Sequence, residues 1–346
     1  MTAPRVLVTR LDNDGDVLLA GPAIRAVAAG ADHVTLLCGP RGAQAAALLP
    51  GVDRVLVRRA EWIDPDAPPV DRADVDAYIS AIAAERADVG VILTSFHQSA
   101  LPLALLLRMA GVPHVAAISE DFPGSLLDER VADPGDVPEP ERALTVAAAA
   151  GFTLPPGDDG RLRVTGAEPS PVALPDRYVV VHPGASVPAR AWPAGHHAAL
   201  VAALAAAGRP VVVTGAPSER ALTAAVAGTP APEGVLDLGG ATSLPELAGV
   251  LSGADAVVVA NTGPAHLAAA VGTPIVSLFA PTVPAARWRP YGVPHELLHV
   301  EVPCAGCRAR ACPVEGHPCL SGVAPSDVLA ALGRLDAMTM TTAVAA

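Results

Sequence analysis

One stretch of the sequence, residues 255–290, constrains the fold more than any other. It begins with Ala256–Ala260, an apolar and β-branched run that is typical of a buried strand. The turn Asn261–Pro264 (NTGP) leads into a helix of small residues, and a second apolar run, Ile275–Phe279, follows. Pro264 stands in the first helical turn, where a missing N–H costs nothing. This order predicts a strand, a turn, a helix and a second strand of one parallel sheet.

The turn at the start of that helix is suited to binding an anion. Backbone N–H groups are unpaired at a helix start and the helix dipole is positive there, so a phosphate fits. His266 on the same helix is either a packed core histidine or, beside this turn, a contact to phosphate or sugar. The predicted contacts are therefore Asn261, Thr262, Gly263, Pro264 and His266.

The alternation of strands and helices runs through both halves of the chain. Further strands are predicted at Arg5–Thr9, Val34–Cys38, Arg54–Val57, Val89–Thr94, His114–Ile118, Tyr178–His182, Pro210–Thr214 and Val235–Leu238. Helices are predicted near Val17 and over Arg41–Leu49, Arg72–Arg86, Ser99–Ala110, Glu141–Gly151, His196–Ala207, Pro217–Val226, Leu244–Leu251 and Pro325–Leu335. This spacing predicts βαβ units in parallel, doubly wound sheets.

The length of 346 residues exceeds a typical single core, so two domains are expected. The stretch 153–176 is rich in Pro, Gly and Asp and lacks periodicity over most of its length, which is typical of a linker. We therefore predict α/β domains at 1–152 and 177–335, followed by a tail at 336–346. Ligands are expected at the carboxyl ends of the strands.

Charge and motifs narrow the function. A net charge of −12 argues against general affinity for nucleic acid, which needs basic surface. Neither GxGxxG after the first strand of either half nor a Walker A sequence is present, so a dinucleotide-dependent dehydrogenase and a P-loop NTPase are disfavoured. No signal-peptide pattern or bilayer-spanning apolar run occurs. We expect a cytoplasmic (cytosolic), soluble protein with no transmembrane segment, while transient contact with a membrane surface stays open.

Five cysteines are present. Cys38 lies in an apolar run and is expected to be a buried core thiol. The other four form CxxC-x4-C-x6-C over residues 304–319, here called the cysteine loop, with His317 between the last two. The spacing is compatible with a zinc knuckle or a disulfide cluster, although disulfides are not expected to persist in the cytoplasm. A loop without metal is the preferred interpretation.

The turn after the first predicted strand holds Asp12, Asp14 and Asp16. Such carboxylates can cap a helix, and Asp12 and Asp14 fit that role. Asp16 follows Gly15 at a strand's carboxyl end, where a carboxylate can take a proton from a hydroxyl. A D-x-D spacing can also hold a divalent metal. Three carboxylates in one turn repel one another unless a cation or the helix dipole compensates.

The second half offers a matching set of ligand-binding residues. Gly184, Ser186 and Arg190 follow a predicted strand, and a hydroxyl and a guanidinium beside backbone amides suit a diphosphate. Glu219 follows the next strand and serves either the helix dipole or the hydroxyls of a ribose. His182 and His97 are weaker candidates, because each could equally be a hydrogen-bonded structural residue.

Four ordered motifs resemble one family over nearly the whole chain. They are RLDNDGDVLLAGPAIRAV at 10–27, VVVHPGASVPARAWP at 179–193, ANTGPAHLAAAVGTPIVSLFAPT at 260–282 and the cysteine loop. These stretches resemble glycosyltransferase family 9, the ADP-heptose:lipopolysaccharide heptosyltransferases. The resemblance implies a GT-B fold, in which two Rossmann-like domains face each other across a cleft. It also implies inverting sugar transfer from a nucleotide diphosphate, typically ADP-heptose, with no metal and no other cofactor.

The resemblance also implies roles for individual residues. Asp16 matches the catalytic base, Asn13 and Gly15 share its acceptor-side turn, and Glu219 lies where a ribose-binding acid is expected. Ser186 and Arg190 match the diphosphate-binding hydroxyl and basic residue, with Arg in place of the commoner Lys. The phosphate-binding turn matches Thr262, Gly263 and His266.

Asn261 departs from the family pattern, which carries Asp at this position, and an amide brings no charge to the donor. The donor sugar therefore stays open. The implied partners are a nucleotide-sugar donor, ADP-heptose-like, and a glycan or lipid-linked glycan acceptor, such as a lipopolysaccharide core. The alternatives are a sugar-nucleotide epimerase or hydrolase on the same scaffold and a non-catalytic nucleotide-sugar-binding protein.

Overall fold

The computed structural model describes residues 3–64 and 66–345. The chain forms two compact units that divide between Thr165 and Gly166, a point inside the predicted linker. No helix within the described residues is both long and apolar enough to cross a membrane.

The first unit contains one six-stranded parallel sheet with helices. Its strands are β1 Arg5–Arg10, β2 His33–Cys38, β3 Arg54–Val57, β4 Val89–Leu93, β5 His114–Ile118 and β6 Glu129–Val131. Its helices are α1 Asp14–Leu19, α2 Gly21–Ala28, α3 Ala43–Ala46, α4 Arg72–Glu85, α5 Leu101–Met109 and α6 Glu139–Ala149, with a 3₁₀ turn at Pro40–Gly42. The strand order is β3-β2-β1-β4-β5-β6.

The second unit repeats this plan. Its strands are β7 Val179–His182, β8 Val211–Gly215, β9 Val235–Gly239, β10 Ala256–Ala260, β11 Ile275–Leu278 and β12 His295–Leu298. Its helices are α7 Ala194–Ala206, α8 Arg220–Ala227, α9 Leu244–Ser252, α10 Gly263–Ala270, α11 Ala285–Trp288, α12 Pro318–Ser321 and α13 Pro325–Ala345, with 3₁₀ turns at Pro188–Arg190 and Pro217–Glu219. The strand order is β12-β11-β10-β7-β8-β9, again parallel throughout.

Both sheets have the Rossmann strand order. The first three strands of each unit are added toward one edge of the sheet, and the next three are added toward the other edge, starting beside the first strand. This reversal lies between β1 and β4 in the first unit and between β7 and β10 in the second. Loops leave these neighbouring strands toward opposite faces, which opens a crevice at their carboxyl ends where ligands of such sheets bind. The predicted α/β class with two doubly wound parallel sheets is confirmed.

Burial on both faces explains why the central strands could be predicted. Every residue of β7 and β10 is buried, as expected for a parallel strand covered by helices, and such strands read as continuous apolar runs. The prediction missed β6 and β12, which form sheet edges and are only partly buried.

Several helix predictions differ from the structure. The predicted Arg41–Leu49 is a 3₁₀ turn followed by the short α3, and the helix near Val17 is two helices, since Gly21 and Pro22 begin α2. Helix α13 continues to Ala345, so residues 336–345 are helical rather than a separate tail, and Ala346 lies outside the described residues.

Candidate functional site

A buried arginine organises the polar residues at the carboxyl end of β1. Arg10 is the last residue of β1 and its side chain is 3% exposed. Its Nε lies 3.0 Å from Oδ2 of Asp12, and its Nη2 donates to Oδ1 of Asp16 at 3.0 Å. Nη2 also donates to the Ser95 hydroxyl at 2.9 Å, and Nη1 lies 3.5 Å from Oε2 of Glu139. Arg10 therefore joins the turn after β1 to the loop after β4 and to the start of α6.

The three carboxylates outweigh the cost of burying this guanidinium. Burial by itself lowers the pKa of Arg10, but Asp12, Asp16 and Glu139 hold it above its ordinary value. For Asp12 burial is the larger effect, and it raises the pKa of this carboxyl although the charge of Arg10 lowers it. Arg10 is the cation that compensates Asp12 and Asp16 in the acidic turn.

The three aspartates of the turn have different surroundings. Gln98, from the loop after β4, donates its amide to Oδ1 of Asp12. Asp14 accepts the backbone N–H of Ala45 at 3.0 Å, and burial raises its pKa. Asp16 is the most exposed of the three carboxylates around Arg10, with a side chain 20% exposed against 9% for Asp12 and 2% for Glu139.

Local structure presents Asp16 in the first turn of α1. Asn13 is extended in its backbone and stands at the N-cap, with its side chain exposed and no capping hydrogen bond. Its carbonyl accepts the N–H of Val17 at 3.0 Å, and Gly15 is buried. The acidic first turn agrees with the positive end of the helix dipole. Asn13 and Gly15 thus share the turn of Asp16, while their contacts with an acceptor stay predictions.

In the second unit, Glu219 is packed against the loop that follows β7. A Cβ on Gly184 would lie 2.1 Å from Oε1 of Glu219, so only glycine allows this carboxylate its present place. Oε2 of Glu219 accepts the N–H of Ala216 at 2.8 Å and lies 3.9 Å from Nε2 of His182. The carboxylate is therefore positioned where the chain leaves β7 and β8.

The histidines behind Glu219 are buried, and their pKa values are lowered. His182 ends β7, is buried, and its Nδ1 lies 3.0 Å from the Thr214 hydroxyl. Burial lowers the pKa of His182, although Glu219 opposes this. Burial also lowers the pKa of His197 to about 3, with His182 and His196 adding repulsion. His197 packs edge-on against Trp192, with ring centroids 4.7 Å apart.

Arg190 reaches the turn that follows β10. Its Nη1 donates to the backbone carbonyl of Asn261 at 3.2 Å, which joins two stretches of the chain 71 positions apart. Asn261 is 4% exposed, and its amide lies 3.4 Å from the carbonyl of Ala280. The amide therefore faces the end of β11, as a neutral side chain suited to a buried position.

The rest of the turn has the predicted order of strand, turn and helix. Thr262 is the extended N-cap of α10, and the helix begins at Gly263 with Pro264 in its first turn. The N–H of Gly263 has no acceptor within its helix, as at any helix start. His266 lies on α10 and is 5% exposed. Ser186 is exposed in the loop after β7. Contacts of these residues with a donor stay predictions.

The cysteine loop packs beside Arg190. Cys304 and Cys307 are exposed, Cys319 is buried, and all thiols are free. The four thiols line a small open pocket together with Ala189, Thr282 and His317. Over residues 3–64 and 66–345, no three His, Cys, Asp or Glu side chains are grouped so that they could hold a metal ion.

Sequence reasoning placed the predicted residues at strand ends but missed their partners. It did not identify Arg10, Ser95 or Gln98, although a cation directly before three aspartates was a usable signal. It also missed the link between Arg190 and Asn261, because no local pattern encodes it.

Two sheets of Rossmann order, with polar turns at their reversal points, place this chain among the doubly wound α/β proteins. Comparison with known families narrows that class. The family model for glycosyltransferase family 9 (heptosyltransferase) matches residues 77–317, and the chain belongs to this family.

Individual relatives agree with this assignment. The chain is 30% identical over 193 residues to lipopolysaccharide heptosyltransferase 3 of Escherichia coli, and the match covers 53% of either protein. The chain thus spans about half the length of this curated relative.

Solved structures show the same fold. ADP-heptose lipopolysaccharide heptosyltransferase II of E. coli gives a TM-score of 0.75 at 20% identity, covering 97% of this chain and 99% of that one. The E. coli heptosyltransferase WaaC with ADP-2-deoxy-2-fluoro heptose gives 0.71 at 21% identity, covering 95% and 99%. The predicted GT-B fold class is confirmed.

Proposed function

We propose that this protein is a glycosyltransferase that moves a heptose-like sugar from ADP-heptose, or a related nucleotide sugar, to a hydroxyl of a glycan or lipopolysaccharide-core-like acceptor. The observation that carries the proposal lies at the reversal point of the second sheet, where Arg190 of the loop after β7 bonds to the turn after β10 and Glu219 packs against Gly184 of the same loop. Membership of family 9 and the heptosyltransferase relatives support the same function.

The second unit holds the donor in this proposal. Arg190, the Ser186 hydroxyl and the backbone N–H of Gly263 bind the diphosphate and stabilise the charge that it gains on leaving. Glu219 accepts hydrogen bonds from the ribose, since its carboxylate is already oriented by the N–H of Ala216. His266 provides a further contact to phosphate or sugar. The solved neighbour with an ADP-heptose analogue supports a donor of this kind.

Asp16 of the first unit acts as the general base. One of its oxygens accepts the hydrogen bond of Arg10, and we assign the other to the proton of the acceptor hydroxyl. As that proton moves to Asp16, the acceptor oxygen bonds to the anomeric carbon. The bond from this carbon to the diphosphate breaks at the same time, its electron pair leaves with the diphosphate, and attack from the opposite face inverts the configuration.

The acidic turn needs no metal in this mechanism. Arg10 already supplies a cation to Asp12 and Asp16 at 3.0 Å each. A divalent ion bound by these carboxylates would have to displace a buried guanidinium or sit beside it. We therefore propose that transfer is independent of metal, and activity that persists undiminished in EDTA is the expected result.

A donor panel tests the function. Binding of ADP-, GDP- and UDP-sugars is measured by calorimetry, and the tightest donor is incubated with acceptor glycans. Product formed only with acceptor supports transfer, whereas product without acceptor favours an epimerase or hydrolase. Clear binding without turnover across the panel favours a non-catalytic binding protein. The cytosolic location and the identity of the acceptor stay predictions.

A further inference from the structure

The cysteine loop has no part in the proposed chemistry, yet it holds the backbone next to Arg190. The N–H of Ala189 donates to the carbonyl of Arg310 at 3.0 Å. The carbonyl of Ala189 lies 3.1 Å from Nε2 of His317, an acceptor that requires the ring nitrogen to carry its proton. The cysteine loop therefore holds both backbone polar groups of Ala189, the N–H and the carbonyl. This carbonyl belongs to the peptide bond that joins Ala189 to Arg190.

The same loop also contacts the segment that follows β11. The N–H of Gly306 donates to the carbonyl of Pro281 at 2.7 Å, and the N–H of Arg308 donates to the carbonyl of Thr282 at 3.0 Å. The neighbouring Ala280 carbonyl accepts the amide of Asn261. One loop therefore holds Ala189, directly before Arg190, and also holds Pro281 and Thr282, directly after the Ala280 carbonyl that accepts the amide of Asn261.

His317 has a backbone suited to this task. It adopts the left-handed conformation, with φ of 48° and ψ of 56°, directly before α12. Non-glycine residues seldom take this conformation, and Asn, Asp and His are enriched among those that do. The conformation and the hydrogen bond together account for a histidine at this position.

We infer that His317 is a positioning residue, which fixes Arg190 for the donor diphosphate by holding the Ala189 carbonyl within the braced cysteine loop. The inference rests on the proposed function, in which Arg190 binds the diphosphate. A backbone that is already held in place does not have to be ordered when the ligand binds, so less entropy is lost on binding. Loss of one neutral hydrogen bond would then weaken donor binding about 3- to 10-fold.

A double-mutant cycle on the full chain tests this inference. Calorimetry gives the Kd for ADP, or for the GDP or UDP that the donor panel favours, in wild type, Arg190→Ala, His317→Ala and the double variant. We expect about tenfold or greater weakening for Arg190→Ala and 3- to 10-fold for His317→Ala. In the Arg190→Ala background, His317→Ala should change the Kd by less than about twofold, because the two residues act through one contact.

The outcomes separate the two proposals. An equal loss from His317→Ala in both backgrounds overturns the positioning role and leaves the donor site intact. No loss from Arg190→Ala overturns the donor role of Arg190 in the proposed function. His299→Ala is the matched control, since His299 is an exposed histidine just before the loop, and it should leave the Kd unchanged.

Two conservative variants distinguish positioning from simple stability. His317→Gln can still donate from a position near Nε2, but Gln bears the cost of the left-handed backbone. His317→Asn suits that backbone, but its shorter amide does not reach Ala189. We expect His317→Gln to retain wild-type affinity with a lowered Tm, and His317→Asn to retain Tm with weakened affinity. Affinity that follows Tm in both variants overturns the inference.

Discussion

A single methyl group at Gly184 should displace Glu219 and weaken donor binding. In Gly184→Ala the added Cβ would lie 2.1 Å from Oε1 and 2.3 Å from Oε2 of Glu219. Real Cβ contacts essentially never fall below 3.0 Å, so the carboxylate must move back by about 1 Å. Such a shift breaks the 2.8 Å hydrogen bond from the N–H of Ala216.

The cost should appear in binding more than in folding. A hydrogen bond to a charged group contributes about 1.5–3 kcal/mol, and a lost ribose contact of that size raises the donor Kd roughly 10- to 100-fold. The side chain of Glu219 is 21% exposed, so water can replace the bond to Ala216 in the unliganded protein. We therefore expect a stability loss of about 1 kcal/mol or less, equivalent to roughly 2–4 °C in Tm.

Calorimetric ADP binding and a thermal melt measure both effects. Gly195→Ala is the matched control, because Gly195 lies in the first turn of α7 and a Cβ there meets nothing within 4 Å. It should leave the Kd unchanged. In a Glu219→Ala background, Gly184→Ala should cost no further affinity, since the clash has gone. Unchanged ADP affinity in Gly184→Ala, with Glu219 intact, would refute the placement of Glu219 at the donor.

Two further predictions concern buried charge. Arg10→Met leaves Asp12, Asp16 and Glu139 without their cation, so unfolding free energy should fall by about 3–5 kcal/mol at pH 7. It should recover toward pH 5 as Asp12, whose pKa is raised by burial, takes up a proton. A urea midpoint that is the same at both pH values would contradict this, and Arg10→Lys should retain part of the stability. His197 has a pKa of about 3 when folded and near 6.5 when unfolded, so the unfolded chain binds the extra proton and stability falls as pH drops below about 6.5. The loss from this group is roughly 2 kcal/mol between pH 7 and 5, and His197→Phe should remove it from the urea midpoints; an unaltered pH slope would count against a buried neutral His197.

The predictable part of the fold is the part whose burial is uniform. His114–Ile118 and Ala256–Ala260 have the predicted bounds, because β-branched or apolar runs between turns mark internal strands. Arg54–Val57 is the exception, since it was predicted with the same bounds although it is an edge strand in which only Leu56 is buried. β6 and β12 pair on one side only and carry charged residues, so their three- and four-residue runs resemble loop sequence. Their assignment depends on pairing with β5 and β11, which no local pattern contains.

The candidate site was predictable in position but not in its pairings. Asp16 follows a strand of the first sheet, whereas Arg190 and Glu219 follow neighbouring strands of the second, and the carboxyl ends of parallel strands in one sheet lie along the same edge. The partners of Arg10 lie 85 and 129 positions away at Ser95 and Glu139, a distance over which residue spacing carries no information. For the same reason the contacts of the cysteine loop with Ala189 follow only from the folded chain.

Asp16→Asn tests the central claim most directly. The variant keeps the size and one hydrogen-bond acceptor of the side chain but cannot take a proton, and loss of a general base costs about 10²–10⁴-fold in rate. Transfer is measured with ADP-heptose and a heptose-deficient lipopolysaccharide core, alongside the Kd for ADP. The account predicts transfer by wild type, a loss of that size in Asp16→Asn, and a Kd within about twofold of wild type. Transfer at the wild-type rate by Asp16→Asn would contradict it.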